Sequence, residues 1–253
     1  METNNKNGID IQIVLDVSYS MIAEDLKPNR LEVAKLVISD FLDKIHSDRV
    51  GIIIFAGKTF TSLPLNFDYN IIKKIVEKIN INTINQNYNN MQGTAIGDAL
   101  VLAVDSFGDN ENREKIIILL TDGEANKGLN PLIALKYIQS TNADIKIYTI
   151  GIGEDEETSI VIKNNFGQSG VLPVGGVDEK TLKTISSQTN GKYYRATDKK
   201  TLENIFNEIS KLERKDIIYE TIKINKEKYN YFVYILILFF MILLFIKNKK
   251  KIF

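Results

Sequence analysis

The sequence predicts an α/β fold, a doubly wound and mostly parallel sheet with helices on both faces. Short apolar runs that suit buried strands alternate along the chain with segments whose apolar residues follow helical spacing. Strands and helices that alternate in this way form parallel sheets covered on each side. The length of 253 residues allows one domain of ordinary size and an appended segment.

The predicted strands are short and mostly apolar throughout. They cover residues 9–15, 50–55, 58–63, 115–120, 144–150 and 192–195. Continuous apolar runs are typical of strands that are buried on both faces. The strand at 58–63 follows the second strand so closely that the two are expected to form an antiparallel hairpin. Residues 154–177 show no clear helical pattern and are interpreted as an insertion or hairpin at the domain edge.

The predicted helices lie between these strands. They cover residues 30–45, 68–79, 94–104, 131–140, 178–188 and 198–212. In the first, apolar residues from Leu31 to Ile45 follow the three-four spacing of a helix, and Pro28 and Asn29 provide a start. The Asn-rich segment 80–92 is predicted to be a surface loop.

A long apolar segment near the C-terminus predicts a membrane-spanning helix. Residues 229–246 contain no charged side chain, and as a helix they would extend roughly 27 Å, close to the hydrocarbon thickness of a bilayer. Tyrosines lie at one end of the segment and lysines follow the other. A buried core helix is the alternative, but such helices seldom run this long without a polar face.

The chain is therefore expected to comprise five segments. They are a polar N-terminus (1–8), the α/β domain (9–213), a linker (214–228), the transmembrane helix (229–246) and a basic tail (247–253). The N-terminus lacks the apolar core of a signal peptide. Lysines after the span favour a cytoplasmic tail, but basic residues before it weaken that bias, so the side of the membrane on which the domain lies stays open.

The composition excludes several classes of function. Lys and Arg together number 32, as do Asp and Glu, and this balance argues against a protein built to bind nucleic acid. The chain has no cysteine, which excludes disulfides, thiolate metal sites and cysteine nucleophiles.

Three polar residues at the end of the first predicted strand suggest a metal centre. Asp16, Ser18 and Ser20 occupy alternate positions, so in an extended chain their side chains point the same way. Their oxygens are the hard donors that Mg²⁺, Mn²⁺ and Ca²⁺ prefer. The alternative for this triplet alone is a strand end followed by a serine helix cap.

Two further motifs favour the metal interpretation. Gly93 and Thr94 stand at a predicted helix start, and Thr121, Asp122 and Gly123 follow a buried strand. Sites in doubly wound sheets lie at the carboxyl ends of strands, where the strand order reverses. If the first and fourth strands are neighbours at that point, the motifs meet on one edge of the sheet.

This set of motifs resembles the von Willebrand factor A domain and its metal-ion-dependent adhesion site (MIDAS), over about residues 8–213. The resemblance implies that one divalent cation, Mg²⁺ or else Mn²⁺ or Ca²⁺, is surrounded by Asp16, Ser18, Ser20, Thr94 and Asp122. Asp122 would act directly or through water. Two carboxylates only just offset the ion, and side chains plus waters leave an exchangeable ligand position. An Asp or Glu carboxylate from a partner protein is the expected occupant.

A narrower resemblance is to the Bat-type aerotolerance membrane proteins. It rests on residues 16–30, 93–100, 148–153 and 191–197 and on the terminal apolar segment. It implies a single-pass protein of the bacterial inner membrane that works beside other Bat-type proteins and a MoxR-type AAA+ ATPase. The sequence departs from that group at Tyr19, where glycine is common. It also lacks the preceding membrane helices, as a shortened form or a fragment would.

We therefore hypothesise a membrane-anchored module that binds protein partners through a cation and is not an enzyme. A metal-dependent hydrolase is one alternative, with Glu124 the nearest candidate base and His46 the sole histidine. A structural membrane scaffold without metal-dependent binding is another. A nucleotide site at Gly151–Gly153 would need a third glycine and a helix directly after it. Glu24 and Asp25 either extend the metal site or form a solvated acidic turn.

Overall fold

The computed structural model describes residues 8–108, 113–123, 125–141, 144–153, 158–163, 169–174 and 176–215. The strands in this part of the chain are β1 (Asp10–Asp16), β2 (Arg49–Phe55), β3 (Thr59–Asn66), β4 (Lys115–Thr121), β5 (Ile145–Ile152), β6 (Thr158–Lys163), β7 (Ser169–Val174) and β8 (Tyr193–Ala196). The helices are α1 (Arg30–Leu42), α2 (Tyr69–Lys78), α3 (Ile96–Asp105), α4 (Pro131–Ser140), α5 (Glu179–Ser187) and α6 (Lys199–Lys215), and a short 3-10 helix covers Tyr19–Ile22.

Six of these strands form the main sheet, in the order β3-β2-β1-β4-β5-β8. Strand β1 pairs in parallel with β2 on one side and with β4 on the other. Strand β3 is antiparallel to β2, as the short connection predicts. The strand order therefore reverses between β1 and β4, which confirms the neighbours expected at the site.

Helices cover both faces of the sheet, because alternate strand residues are buried on opposite sides. On one face α1, α2 and α6 pack against a cluster that includes Ile11, Ile13 and Leu15 of β1. On the other face α3, α4 and α5 pack against a cluster that includes Val14. The predicted α/β fold class is confirmed for the domain.

Element bounds differ from the predictions where tertiary contacts override local pattern. Helix α3 begins at Ile96, two residues late, because the Ala95 N–H donates to the Ala56 carbonyl at the end of β2 (2.7 Å). Helix α1 ends at Leu42, although Ile45 is still buried. Helix α6 continues to Lys215, so the first two residues of the predicted linker are helical.

The segment interpreted as an insertion or hairpin contains an antiparallel hairpin, β6–β7, which forms a sheet of its own. Ile160 of β6 and Val174 of β7 pack against Ala23, with Tyr19 and Ile22 beside them. The hairpin therefore rests on the segment that follows β1, next to the candidate site.

At the opposite edge of the sheet, Asp10 opens β1 as a buried anion between two arginines. Its Oδ1 accepts hydrogen bonds from Arg49 Nε (2.8 Å) and Arg113 Nε (2.6 Å), and Arg49 Nη2 bonds Oδ2. The Asp10 side chain is fully buried, whereas 23% of the Arg49 side chain is exposed. This cluster holds the amino ends of the strands together.

The predicted membrane span at 229–246 lies outside the described residues and stays a prediction. Among the helices that the structure does describe, none combines the length and the apolar character that crossing a bilayer requires.

Gln12 offers a test of core packing. Its side chain is fully buried in β1, and neither amide atom has a hydrogen-bond partner among the described residues. We expect Gln12→Met, which keeps the length but removes the polar atoms, to raise the free energy of unfolding by about 1–3 kcal/mol in chemical denaturation. Gln139→Met at the exposed face of α4 is the matched control and should change it by less than about 0.5 kcal/mol. A loss of stability in Gln12→Met would contradict this account.

Candidate metal centre

The candidate centre lies at the carboxyl edge of two neighbouring strands. Asp16 is the last residue of β1, and Asp122 directly follows β4. The register pairs Leu15 with Leu120, which places Asp16 beside Thr121. Two motifs about a hundred positions apart in the sequence thus meet because their strands are adjacent and parallel.

Asp16 is a buried carboxylate held from two sides. Its Oδ1 accepts a hydrogen bond from the Ser18 backbone N–H (2.8 Å), and its Oδ2 accepts one from Thr121 Oγ1 (2.6 Å). Burial, with the nearby Asp122 charge as the next cause, raises the pKa of Asp16 from 3.8 to about 7. Two carboxylates that are both removed from water favour a cation between or beside them.

The two serines continue from Asp16 as a hydrogen-bonded row. Ser18 Oγ lies 2.9 Å from Ser20 Oγ, and Ser20 Oγ donates to Asp122 Oδ1 (2.7 Å). The prediction of an extended chain through Ser20 is wrong, because the backbone turns into the 3-10 helix at Tyr19. That turn carries Ser20 back beside Ser18. The Ser18 side chain makes no capping bond to this helix, so the helix-cap alternative does not describe it.

Thr94 joins the same cleft from a third segment. Together with Ser18, Ser20 and Asp122 it lines a cleft of about 360 Å³. The Thr94 N–H donates to Asn126 Oδ1 (2.9 Å), which fixes its segment against the loop after β4. Gly93 has a φ of +101°, and a Cβ there would lie 2.4 Å from Lys127 Cγ, so this turn requires glycine.

The structure therefore brings the five predicted residues into one region. Four line the cleft, and Asp16 is fully buried and bonded to Ser18. Other cleft walls come from Gln86 and Gln92 and from Pro173 and Val174 of the hairpin. Gln86 was not predicted. Its Nε2 donates to the Val17 carbonyl (2.8 Å) and the Ile81 carbonyl (3.0 Å), so it fastens the Asn-rich loop to the end of β1.

Arg30 is the main residue that the sequence analysis missed. Its side chain is only 1% exposed, and Nη1 donates to Asp122 Oδ2 (2.7 Å). Nε and Nη2 grip the Asp25 carboxylate at 2.9 and 2.7 Å. Burial raises the pKa of Asp122, and the Arg30 guanidinium and the Ser20 hydroxyl offset part of that rise. The sequence did contain a signal for this contact. A cation at the first position of a helix interacts unfavourably with the helix dipole, so an arginine there predicts a nearby anion that stabilises it.

Glu24 and Asp25, the acidic pair before α1, differ in their surroundings: one lies in a solvated turn and the other is buried beside the candidate centre. Glu24 is solvated, with 70% of its side chain exposed, and pairs with Lys27. Asp25 is 8% exposed and pairs with Arg30, so it is linked to Asp122 through one guanidinium. The solvated-turn interpretation is wrong for Asp25.

The donor set fits a small divalent cation. Among the residues that the structure describes, no group of three or more His, Asp or Glu side chains could hold a metal, so a centre here depends on hydroxyl oxygens. In octahedral Mg²⁺ with bonds of 2.0–2.1 Å, adjacent ligand oxygens lie about 2.9 Å apart. The Ser18 and Ser20 hydroxyls already have that separation. With all three carboxylates ionised, Asp16, Asp25 and Asp122 together with Arg30 carry a net charge of −2, which such an ion would balance.

The described residues give no support to the two alternative chemistries. His46 is exposed and follows α1 near the amino end of β2, at the edge opposite the cleft. Glu124 lies outside the described residues. Gly151 and Gly153 stand at the end of β5, but the next described element is the β6–β7 hairpin and not a helix.

The fold and the cleft define a class of protein, a doubly wound α/β domain with its candidate centre at the strand-order reversal. The chain belongs to the von Willebrand factor type A domain family, whose sequence model matches residues 10–208. A relative is an uncharacterised protein of Borreliella burgdorferi, 31% identical over an alignment of 251 positions that covers 97% of this chain and 70% of that protein. The chain spans 65% of a more distant relative from Nocardia farcinica.

Several solved structures are similar to this chain. BatB from Bacteroides thetaiotaomicron is 34% identical with a TM-score of 0.69, covering 82% of this chain and all of that one. An aerotolerance-related membrane protein from Bacteroides fragilis is 33% identical with a TM-score of 0.66, covering 81% of this chain and all of that one. A mussel byssus thread matrix protein with a zinc-occupied MIDAS motif shares the fold (20% identity, TM-score 0.60, over 81% of this chain and 48% of that one).

Proposed function

We propose that this chain is a membrane-anchored von Willebrand factor A module that binds protein partners through a divalent cation and is not an enzyme. The observation that carries the proposal is the convergence of Asp16, Ser18, Ser20, Thr94 and Asp122 on one cleft. The similarity to the Bacteroides fragilis protein, which is described as a membrane protein, supports a place in a membrane. In this proposal the membrane is the bacterial inner membrane and the apolar segment 229–246 is the anchor.

In this proposal the side chains of the centre have different roles in holding the ion. The hydroxyls of Ser18, Ser20 and Thr94 are neutral donors at the cleft wall. Asp16 fixes Ser18 through its backbone N–H. Asp122 accepts a hydrogen bond from the Ser20 hydroxyl and Ser18 donates to it, which leaves one lone pair of Ser20 available to a cation. The bound ion would supply a Lewis-acid site for a carboxylate oxygen.

The expected partner ligand is an Asp or Glu side chain from another protein. The cleft of about 360 Å³ has room for such a group and for waters, since one water occupies about 30 Å³. Apart from Asp122, whose charge the ion would balance, the described residues that line the cleft are uncharged, among them Gln92 and Asn126. Within a Bat-type system, partners of this kind include other Bat-type proteins and a MoxR-type AAA+ ATPase.

Metal titration tests the centre. The full-length chain, stripped of metal in mild detergent, is titrated calorimetrically with Mg²⁺ and Mn²⁺. We expect one site, with affinity at least about tenfold lower in Ser20→Ala, which removes a ligand. Ser187→Ala deletes an exposed hydroxyl at the end of α5 and should bind within about twofold of the wild type. Equal binding by all three proteins would reject the centre.

Capture of partners tests the function itself. The tagged wild type and Ser20→Ala are incubated with solubilised native membranes in Mg²⁺ and eluted with EDTA. We expect a protein that is retained by the wild type, released by chelation and lost in the variant. Metal binding without any chelation-sensitive partner would favour the structural scaffold. Protease accessibility in intact spheroplasts would decide on which side of the membrane the domain lies.

A further inference from the structure

Arg30 ties one carboxylate of the candidate centre to a second carboxylate outside it. Its planar guanidinium bonds Asp122 through Nη1 (2.7 Å) and grips Asp25 through Nε and Nη2. All three side chains are less than a tenth exposed. Buried, fork-shaped pairs of this kind are specific in geometry and costly to break.

Both oxygens of Asp122 are engaged in this arrangement. Oδ1 accepts from Ser20 Oγ, and Oδ2 accepts from Arg30 Nη1, each at 2.7 Å. Each oxygen keeps a second lone pair, but an ion bound to it directly would come close to the buried Arg30 guanidinium, whose positive charge repels the ion. An ion that bound Ser20 through its oxygen would leave both bonds intact, because the hydroxyl proton already goes to Asp122.

The guanidinium has little freedom to move away. Gly153, after the end of β5, approaches it so closely that a Cβ built there would lie 2.5 Å from Arg30 Cζ and Nη2. Gly153 has a φ of +126°, a conformation that glycine adopts without strain. The β5 end and the Asp25 carboxylate therefore hold Arg30 against Asp122.

We infer that Arg30 is a positioning residue that keeps Asp122 outside the ligand shell of the ion, so that Asp122 acts on the ion through Ser20 or water. The inference rests on the proposed metal centre and defines how that centre is tuned. With one carboxylate fewer among its ligands, the ion keeps more positive charge. It therefore binds more weakly to the domain and attracts an incoming carboxylate more strongly.

Mn²⁺ binding to the full-length chain tests this role. Calorimetry gives the dissociation constant, and water-proton relaxation counts the waters bound directly to Mn²⁺. In Arg30→Gln we expect Asp122 to become a direct ligand, with about tenfold tighter Mn²⁺ binding and one bound water fewer than in the wild type. Lys127→Gln removes an exposed positive charge near the same cleft, and it should leave the affinity within about twofold and the water count unchanged.

Asp25→Asn is the second variant, for use if Arg30→Gln does not fold. It retains the Arg30 guanidinium, which Asp122 and the close approach of Gly153 still hold. Without Asp25 the Arg30 charge acts on Asp122 and the ion alone, so we expect Mn²⁺ binding to weaken by about threefold or more with the bound-water count unchanged.

The possible results separate this inference from the metal centre. Unchanged affinity and water count in Arg30→Gln, or tighter binding in Asp25→Asn, would overturn the role of Arg30 while the centre stands. A wild type that binds no Mn²⁺ would overturn both.

Discussion

Asp16→Asn is expected to make the metal-free protein more stable and to abolish its stabilisation by Mg²⁺. Between pH 3.8 and about pH 7, the folded state keeps a proton on Asp16 that the unfolded chain has lost. The free energy of unfolding therefore falls as the pH rises through this window. Above it the wild type carries the full cost of a buried carboxylate beside Asp122, and Asn removes a cost of about 2–4 kcal/mol.

Denaturant unfolding of the full-length chain checks both effects. In EDTA at about pH 8, Asp16→Asn should exceed the wild type in stability, and the difference should shrink toward pH 5. At a Mg²⁺ concentration of 100 times the dissociation constant, the wild type should gain about 2.7 kcal/mol and the variant almost nothing. Asp178→Asn at the start of α5 is the control, because Asn and Asp cap helices equally well. A variant that Mg²⁺ stabilises as much as the wild type would contradict the site.

Asp10→Ala is expected to cost about 3–5 kcal/mol of unfolding free energy without changing metal affinity. The substitution removes the buried anion between Arg49 and Arg113 and leaves their charges without it. Asp10 and Asp16 lie at opposite ends of β1, about 20 Å apart along the strand, so the centre itself is untouched.

Urea unfolding and Mn²⁺ calorimetry on the same preparations measure the two quantities. Asp43→Ala is the matched control, since its carboxylate pairs with Lys73 while 66% exposed, and it should cost less than about 1 kcal/mol. A weaker metal affinity in Asp10→Ala would show that the two edges of the sheet are coupled. A stability loss no larger than in Asp43→Ala would contradict the structural role of the cluster.

The layered fold could be predicted from the sequence because the spacing of apolar residues along the chain shows which positions are buried. Continuous apolar runs marked the strands, and Asn29 marked the start of α1, where its side chain accepts from the Glu32 N–H (2.9 Å). The site motifs were also predictable, since Asp16 and Asp122 each stand at the end of such a run. Adjacent strand ends on one edge then brought them together.

The features that could not be predicted from the sequence depend on contacts between segments that are distant along the chain. Arg30 and Asp122 are 92 positions apart, and nothing local shows that the arginine at the start of α1 reaches the Asp122 carboxylate. Ser20 reaches Ser18 through a turn, whereas alternation predicts an extended chain. Helix α3 starts late because Ala95 bonds to Ala56 across the edge of the sheet. In each case a tertiary partner overrides the local pattern.

Because the β6–β7 hairpin is paired separately from the main sheet, its hydrogen exchange can be followed independently of that sheet. Its strands bond to each other, so the hairpin can open and let its amides take up deuterium while the six-stranded sheet stays protected. Its anchors, Ile160 and Val174, pack on the turn that contains Ser20. Isotope uptake in this one ribbon therefore reports how firmly that turn is held.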